Sequence, residues 1–269
     1  MKLKILPFMM LGFLSFKPLT INPNGDNNGN GNGKKKVTVV TKSSTIKSKE
    51  IAAVNKSNLK TASSGNLSTF DRMVLSEYLD INEKNYDKPE LESFKAAFKG
   101  YNKLKEQGKI KKEILTILDF TKSSTERRMW VIDMKNHEIL FQTVVSHGKN
   151  SGKEFATDFS NEIESYKSSL GFYTTGETYN GKHGLSLRLD GLEVGINHNA
   201  RERDIVMHAA DYANENLGKS QGYLGRSLGC PALPENVAFK IINLIKDDSC
   251  LFIYHADKKD YLEKSKLLN

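Results

Sequence analysis

The feature that most constrains the fold is a series of short β-rich runs in the second half of the chain. Branched and aromatic residues cluster there between glycine, asparagine, aspartate and serine, a pattern typical of strands separated by turns. Strands are predicted over residues 114–120, 129–134, 138–146, 171–175, 185–189, 205–209 and 250–254. Helices do not alternate with these runs, so a doubly wound parallel sheet is disfavoured.

One helix interrupts the strands before the last of them. Pro234 and Glu235 form a helix start, because proline and an acidic residue both favour the first turn. Its buried face is predicted to carry Val237, Ile241, Leu244 and Ile245. We therefore expect an α+β fold, with a mainly β domain over residues 112–257 and a C-terminal tail over residues 258–269.

A helical segment is predicted before this domain, over residues 66–111. It contains a short helix from about Ser68 to Leu79 and a longer one that ends at Gly108, with Asp87 and Glu90 arranged like a capping box. The apolar stripe of the longer helix consists of Leu91, Phe94, Phe98, Tyr101 and Leu104. At helical spacing such a stripe favours packing against the core over a ligand surface.

The net charge of +8 is located in the N-terminal part of the chain. Residues 1–60 contain eleven lysines against Asp26 and Glu50, whereas the remainder contains 29 basic and 30 acidic residues. A nucleic-acid-binding fold needs its basic residues on the folded part, so nucleic acid is not an expected partner.

The first residues resemble an export signal. A lysine-containing start precedes the apolar run from Ile5 to Phe16, which is too short to span a bilayer, although Pro7 interrupts it and no cleavage site is obvious. We therefore expect residues 1–21 to be a signal peptide or N-terminal anchor, with no transmembrane domain beyond an uncleaved anchor. Residues 22–65 are rich in asparagine, glycine, lysine and serine and are predicted to be a disordered tether. The expected location is the periplasm or cell envelope.

Cys230 and Cys250 are the two cysteines of the chain, which excludes a disulfide-dense scaffold. Cys250 lies in the apolar run Ser249-Cys250-Leu251-Phe252-Ile253-Tyr254, where we expect a small buried side chain. A single disulfide between the two is the alternative.

Cys230 is a candidate nucleophile and His208 a candidate base. Acyl transfer by cysteine needs a base for the thiol proton and donors for the oxyanion. His208 ends the run Ile205-Val206-Met207, where a strand can aim its ring at a neighbouring loop. The amides of Gly229 and Cys230 could form an oxyanion hole, and Pro231 has no amide hydrogen. On the residues alone, a structural histidine bonded to a backbone carbonyl remains an alternative.

Several ordered motifs resemble the L,D-transpeptidase catalytic-domain family, in the branch with a Ser-x-Gly-Cys-Pro-Ala motif. They are Trp130-Val131-Ile132-Asp133, Ser146-His147-Gly148-Lys149-Asn150-Ser151-Gly152, Phe159-Ser160-Asn161, Ser169-Leu170-Gly171-Phe172-Tyr173, Tyr179-Asn180-Gly181-Lys182-His183-Gly184-Leu185-Ser186-Leu187, Ile205-Val206-Met207-His208-Ala209-Ala210-Asp211-Tyr212 and Gly225-Arg226-Ser227-Leu228-Gly229-Cys230-Pro231-Ala232. They cover about half of the chain.

The resemblance implies a peptidoglycan L,D-transpeptidase that works without a cofactor. The family motif places the nucleophile on Cys230 and the general base on His208. Members attack the amide after the third stem-peptide residue, release D-alanine and pass the acyl group to an amine. The better-known branch has histidine where this chain has Leu228, and Pro231-Ala232 replaces its usual following residues. Acceptor choice is the property that these departures affect.

Further residues are candidates for orienting groups and substrate contacts. Ser227 could hold His208 in one tautomer or simply form a turn. Arginines are suited to gripping stem-peptide carboxylates, and histidines in glycine-flanked loops could line a cleft. The candidates are Arg226, Arg203, Arg188, His147 and His183. Each of them could equally be a structural or solvated residue.

Three competing hypotheses remain open from the sequence. The same thiol chemistry with water as acceptor would make a carboxypeptidase or hydrolase. A noncatalytic cell-wall-binding module could keep the fold. A zinc site from Cys230 with His208, His183 or His147 is disfavoured, because no metal-ligand spacing accompanies them, so no metal is expected.

Overall fold

The computed structural model of the protein describes residues 67–83 and 85–269. The predicted signal or anchor over residues 1–21 and the tether over residues 22–65 lie outside the described residues. Within the described part, none of the helices has both the length and the apolar character needed to cross a bilayer.

The N-terminal helices are α1, Thr69–Asp80, and α2, Leu91–Glu106. Ser68 caps α1, since its hydroxyl accepts a hydrogen bond from the Asp71 amide at 3.0 Å. The capping box predicted for α2 is wrong: Glu90 is the N-cap residue but its side chain makes no capping bond. It forms an ion pair with Lys122 at 3.0 Å instead. Gly108 follows α2 with φ +65°, as expected of a helix stop.

The strands of the described residues are β1 Ile114–Asp119, β2 Met129–Asp133, β3 Glu138–Thr143, β4 Gly171–Gly181, β5 Gly184–Gly191, β6 Val206–Ala209, β7 Ala232–Leu233 and β8 Cys250–Tyr254. These eight strands form one mixed sheet in the order β3-β2-β1-β8-β4-β5-β6-β7. The predicted α+β, mainly β fold is therefore confirmed.

The sheet differs from the prediction at β4 and β7. β4 continues to Gly181 and forms a long antiparallel hairpin with β5, in which Gly181 pairs with Gly184 around the turn Lys182-His183. β7 contains only Ala232 and Leu233, too few residues for an alternating pattern to be visible in the sequence. It extends the sheet beside β6.

The remaining helices are a 3₁₀ turn at Asp211–Ala213, α3 Glu215–Gln221, α4 Glu235–Ile245 and α5 Lys259–Lys264. The buried residues of α4 include Ile241 and Ile245, as predicted. The segment expected to be a C-terminal tail contains α5, and Tyr261, Leu267 and Leu268 are buried in the core. Residues 258–269 are thus part of the folded unit.

Helix α2 packs on the sheet through its aromatic stripe. Phe94 and Phe98 are buried and stack on each other with ring centroids 5.7 Å apart. A Cβ at Gly100 would lie only 2.1 Å from the Phe172 ring of β4, so this position requires glycine. The predicted packing role of the stripe is confirmed.

Candidate active site

Cys230 lies between the loop 225–229 and the edge strand β7. Its side chain is half-buried and its thiol is free. The Sγ atom accepts a hydrogen bond from the Val206 amide and donates one to the Asp204 carbonyl, both at 3.5 Å. The thiol therefore lies against the backbone that leads into β6, two residues before His208.

Cys250 occupies a different environment. It is fully buried in β8, and burial raises the pKa of its thiol far above the ordinary value. Both cysteines are free, so they do not form a disulfide. The expectation of a small buried side chain at Cys250 is confirmed.

The conformation of the cysteine loop depends on Ser227 and Gly229. The Ser227 hydroxyl donates a 2.6 Å hydrogen bond to the Cys230 carbonyl and accepts one from the Gly229 amide at 3.1 Å. Gly229 has φ +125°, and a Cβ there would lie 2.9 Å from the Lys167 carbonyl oxygen. Only glycine fits this conformation and this gap.

The loop after β3 holds the cysteine loop from the other side. The Ser227 amide donates to the His147 carbonyl at 3.0 Å, and the Lys149 amide donates to the Ser227 carbonyl at 2.8 Å. Buried Ser168 accepts from the Gly148 amide at 3.0 Å and donates to the Gly229 carbonyl at 3.1 Å. Sequence reasoning missed Ser168, since nothing in its local pattern indicates a partner 61 residues away.

His208 is positioned by the pairing of β6 with both of its neighbours. It pairs with Ser186 of β5 and with Ala232 of β7, so the residue two positions after Cys230 is in register with the candidate base. Its Nδ1 lies 2.8 Å from the Ala209 carbonyl oxygen. Because a carbonyl only accepts, Nδ1 carries the proton and Nε2 of the neutral ring is left with a free lone pair.

Burial favours the neutral forms of both groups. It lowers the pKa of His208, and positive charge on His183 and Lys182 lowers it further. It also raises the pKa of the Cys230 thiol, against the Val206 amide and the Arg203 charge, which favour the thiolate. The resting pair is therefore a thiol and a neutral imidazole, which suits proton transfer during attack rather than a preformed ion pair.

The two amides predicted for an oxyanion hole differ in availability. The Gly229 amide is bonded to the Ser227 hydroxyl, so it does not point into an empty cavity. Within the described residues, no acceptor bonds the Cys230 amide. Of the predicted pair, Cys230 N–H is the one free to donate to an oxyanion.

The Ser227 hydroxyl bonds to the Cys230 carbonyl and the Gly229 amide rather than to His208, so the predicted tautomer role belongs to the Ala209 carbonyl. The serine acts as a turn residue, which was the alternative interpretation. A main-chain acceptor leaves no signal in the sequence, because every residue has a carbonyl.

His183 lies at the tip of the β4–β5 hairpin and stacks on His208. The ring centroids are 4.3 Å apart, with an angle of 21° between the planes. His183 is itself exposed, so its ring covers one face of the candidate base. His183 therefore lies against the candidate base, and a substrate contact by this residue stays a prediction.

His147 is fully buried and does not line a cleft. Its Nδ1 accepts a 2.8 Å hydrogen bond from the buried Arg128 guanidinium, and its Nε2 donates to the Gly152 carbonyl at 3.3 Å. Burial and the Arg128 charge lower its pKa to about 3. The prediction of a substrate contact is therefore wrong for His147, which supports the loop from inside.

The candidate arginines are engaged in different ways. Arg226 is exposed, and its Nη1 donates to the carbonyls of Lys149 and Gly152. Arg188 faces two carboxylates, at 3.3 Å from Glu177 and 3.7 Å from Asp204. These carboxylates compete with any substrate carboxylate for Arg188.

Arg203 is half-buried beside the cysteine loop, and each of its four hydrogen bonds goes to an uncharged acceptor. Its acceptors are the carbonyls of Ser160 and Lys167 and the hydroxyls of Ser165 and Ser169.

Within residues 67–83 and 85–269, no three histidine, cysteine, aspartate or glutamate side chains are arranged to hold a metal ion. Cys230, His208, His183 and His147 do not form a ligand set there.

Residues 85–254 match the model of a family described as the L,D-transpeptidase catalytic domain. The match begins before α2, so it includes part of the segment that the sequence analysis placed outside the β domain. No curated protein matches the chain.

Several solved structures are similar over part of their length. An L,D-transpeptidase from Mycobacterium smegmatis is 15% identical over 53% of this chain and 58% of its own, with a TM-score of 0.34. The helical cell shape determining protein Pgp2 from Campylobacter jejuni is 14% identical over 54% and 48%, with a TM-score of 0.36. A mutant L,D-transpeptidase from Enterococcus faecium is 11% identical over 53% and 50%, with a TM-score of 0.31. The chain spans about half the length of these structures.

Proposed function

The chain belongs to the L,D-transpeptidase catalytic domain family, and we propose that it is an exported, cysteine-dependent L,D-transpeptidase acting on peptidoglycan stem peptides. Cys230 is the proposed nucleophile and His208 the proposed general base. The periplasm or cell envelope is the proposed location.

One observation carries this proposal. The only half-buried cysteine of the described residues, Cys230, lies against the start of the strand that holds His208, whose Nε2 is left unprotonated by the Nδ1 bond to Ala209. A thiol, a neutral imidazole with a free lone pair and an unbonded amide at the nucleophile are the groups that acyl transfer requires. No direct hydrogen bond joins Sγ to the ring, and such contacts commonly tighten only when substrate binds.

The proposed reaction proceeds through a thioester. His208 Nε2 takes the Sγ proton as the sulfur attacks the carbonyl carbon of the third stem residue, and the Cys230 amide donates to the oxyanion. The C–N bond to D-alanine then breaks, and the imidazolium protonates the departing amine. In the second half, an acceptor amine attacks the thioester, the C–S bond breaks, and the proton lost by the amine returns to the thiolate through His208.

The nucleophile is tested with a carbapenem, whose strained β-lactam acylates an activated thiol. We expect one covalent adduct per molecule by intact-mass measurement, mapped by peptide digestion to Cys230. The matched control is Cys250→Ala, which removes the other thiol and should still form the adduct, whereas Cys230→Ala should not. Absence of an adduct on the folded wild type would remove the proposed nucleophile.

The acceptor is tested with a labelled tetrapeptide, with and without an added stem-peptide amine. We expect D-alanine release in both cases and a cross-linked product only with the amine. Hydrolysed product alone would indicate a carboxypeptidase or hydrolase that uses the same thiol. Turnover that survives Cys230→Ala would contradict the mechanism, and peptidoglycan binding without any turnover would indicate a noncatalytic module.

A further inference from the structure

The Arg203 guanidinium lies directly against the cysteine loop. Its Nη2 would be 3.5 Å from a Cβ at Gly229, the residue before Cys230. The same Nη2 donates to the Lys167 carbonyl at 2.7 Å, and that oxygen is itself 2.9 Å from the Gly229 Cβ position. The charged group therefore forms one wall of the gap into which Gly229 fits.

Neutral acceptors hold this guanidinium in one orientation. Nη1 donates to the Ser160 carbonyl at 2.8 Å and to the Ser169 hydroxyl at 2.5 Å. Nη2 donates to the Ser165 hydroxyl at 3.2 Å in addition to the Lys167 carbonyl. Four directed bonds to a planar fork fix the position of the charge without cancelling it.

Neighbouring arginines differ in this respect. Arg201, two positions earlier in the chain, forms ion pairs with both Glu177 and Asp190. Arg203 has no carboxylate within ion-pair distance among the described residues. Burial lowers the pKa of Arg203, so the protein bears a cost to hold this charge here. Its four acceptors are neutral, so its charge is left unbalanced beside Gly229, the residue before Cys230.

The other charged groups near Cys230 can be named. The carboxylate of Asp204 opposes the thiolate but is shared with Arg188, at 3.7 Å. Lys182, on the hairpin turn, favours the thiolate, and His183 on the same turn stacks on His208. Tyr212, packed against Gly225, keeps its phenol neutral because burial raises its pKa to about 12. Among these groups, Arg203 is the cation that directed bonds hold against the cysteine loop.

We propose that Arg203 is a positioning residue that supplies a fixed positive charge stabilising the thiolate of Cys230 as its proton leaves. This inference rests on the proposed function, because it assigns a task to Arg203 only if Cys230 is the nucleophile. It replaces the expectation that Arg203 grips a substrate carboxylate, since both of its terminal nitrogens are already bonded within the protein.

The test is the pH dependence of Cys230 alkylation by iodoacetamide, measured by mass spectrometry without peptidoglycan. We expect Arg203→Gln to move the profile to higher pH by roughly one unit, which slows alkylation at neutral pH by roughly tenfold. Arg203→Lys keeps the charge and should recover most of the rate. Arg201→Gln is the matched control, and its profile should coincide with that of the wild type.

A purely structural role predicts a different result. In that case Arg203→Gln and Arg203→Lys would lower the melting temperature together and leave the alkylation profile unchanged, which would overturn the inference. If Arg203→Gln does not fold, Ser165→Ala takes its place, because it removes one acceptor of Nη2 and keeps the charge. A smaller shift in the same direction, about twofold in rate, is then expected, and no shift would contradict the proposal.

The outcomes separate this inference from the proposed function. A wild type that forms the carbapenem adduct on Cys230, with an unchanged profile in Arg203→Gln, removes only the role of Arg203. A wild type in which Cys230 forms no adduct removes the proposed function whatever the profile shows.

Discussion

The Glu193 carboxylate fastens the C-terminal helix to the sheet, which makes it a sharp test of how the fold is stabilised. It is 8% exposed, lies between β5 and β6 in the chain, and has no basic partner among the described residues. Its Oε2 accepts from the Phe172 amide at 2.8 Å and from the Tyr261 hydroxyl at 3.0 Å. Its Oε1 accepts from the Ser265 hydroxyl. One carboxylate thus joins β4 to Tyr261 in α5 and to Ser265, the residue that follows this helix.

Lost contacts and recovered desolvation change the free energy of unfolding in opposite directions when Glu193 is substituted. Removing the acceptor leaves Phe172 N–H buried without a partner, at a cost of about 1–3 kcal/mol. Loosening α5 also returns part of the buried Tyr261 ring to water, which costs a fraction of the about 1.5–3 kcal/mol gained by full burial of such a side chain. The recovered desolvation of a buried charge acts in the other direction. We expect the lost acceptor and packing to outweigh this recovery in Glu193→Ala, with a net destabilisation of about 2–4 kcal/mol.

Glu193→Gln separates the charge from the shape. The amide keeps one acceptor oxygen, and the Ser265 hydroxyl can rotate to accept from the new NH₂ group. The weaker neutral bonds then compete with the recovered desolvation, so we expect a change within about 1 kcal/mol.

The assay is urea and thermal unfolding of the full chain, followed by circular dichroism. Glu193→Ala should lower the melting temperature by roughly 10 °C, since 1 kcal/mol corresponds to about 2–4 °C in a domain of this size. The control is Glu202→Ala, an exposed glutamate in the same connection, expected within about 0.5 kcal/mol of the wild type. If Glu193→Ala matched either Glu193→Gln or the control, the argument for a fastened C-terminal segment would fail.

Three further changes test the site. Gly229→Ala should lower activity at least about tenfold, because a side chain at φ +125° and 2.9 Å from the Lys167 carbonyl oxygen would displace the cysteine loop. An active variant with an unchanged melting temperature would contradict this prediction. His183→Ala should raise the pKa of His208, because it removes a nearby charge and a covering ring. The acidic limb of the pH profile of kcat/KM should then move to higher pH, and an unmoved limb would count against this effect of His183. Arg128→Met should lower the free energy of unfolding in urea by about 2–4 kcal/mol, because the Val145 carbonyl and His147 Nδ1 lose their buried donor. A loss below about 0.5 kcal/mol would refute this role of Arg128.

The helices and strands that carry a periodic residue pattern of their own could be predicted from the sequence. The strand from Met129 follows the prediction to within one residue, and α2 was visible from its aromatic stripe. β7 and α5 were not visible, because Ala232–Leu233 is shorter than any pattern and α5 is held by tertiary contacts to Glu193 rather than by its own spacing. The capping box at Asp87 and Glu90 failed because the Glu90 side chain forms an ion pair instead.

The candidate site shows the same difference between residues with a local sequence pattern and residues that depend on tertiary contacts. Ordered motifs point to Cys230 and His208 as candidates, whereas Ser168 and Arg128 act through contacts between distant segments. His147 was misassigned because a glycine-flanked histidine has the same local pattern whether its loop folds inward or outward. Here Arg128, buried and with no carboxylate partner among residues 67–83 and 85–269, holds the loop inward through His147 Nδ1 and the Val145 carbonyl.

Leu228 stands where the better-known branch of the motif has a histidine. Leu228 is 54% exposed two positions before Cys230, so this position carries an exposed apolar side chain where that branch has an imidazole. A second imidazole nevertheless reaches the site, because the hairpin tip stacks His183 on the face of His208. Stacking covers a ring face, and His183 does not cover the ring edge where Nε2 lies. The acylation step proposed for Cys230 and His208 therefore uses no group from position 228, and we expect this departure from the motif to affect the choice of acceptor amine.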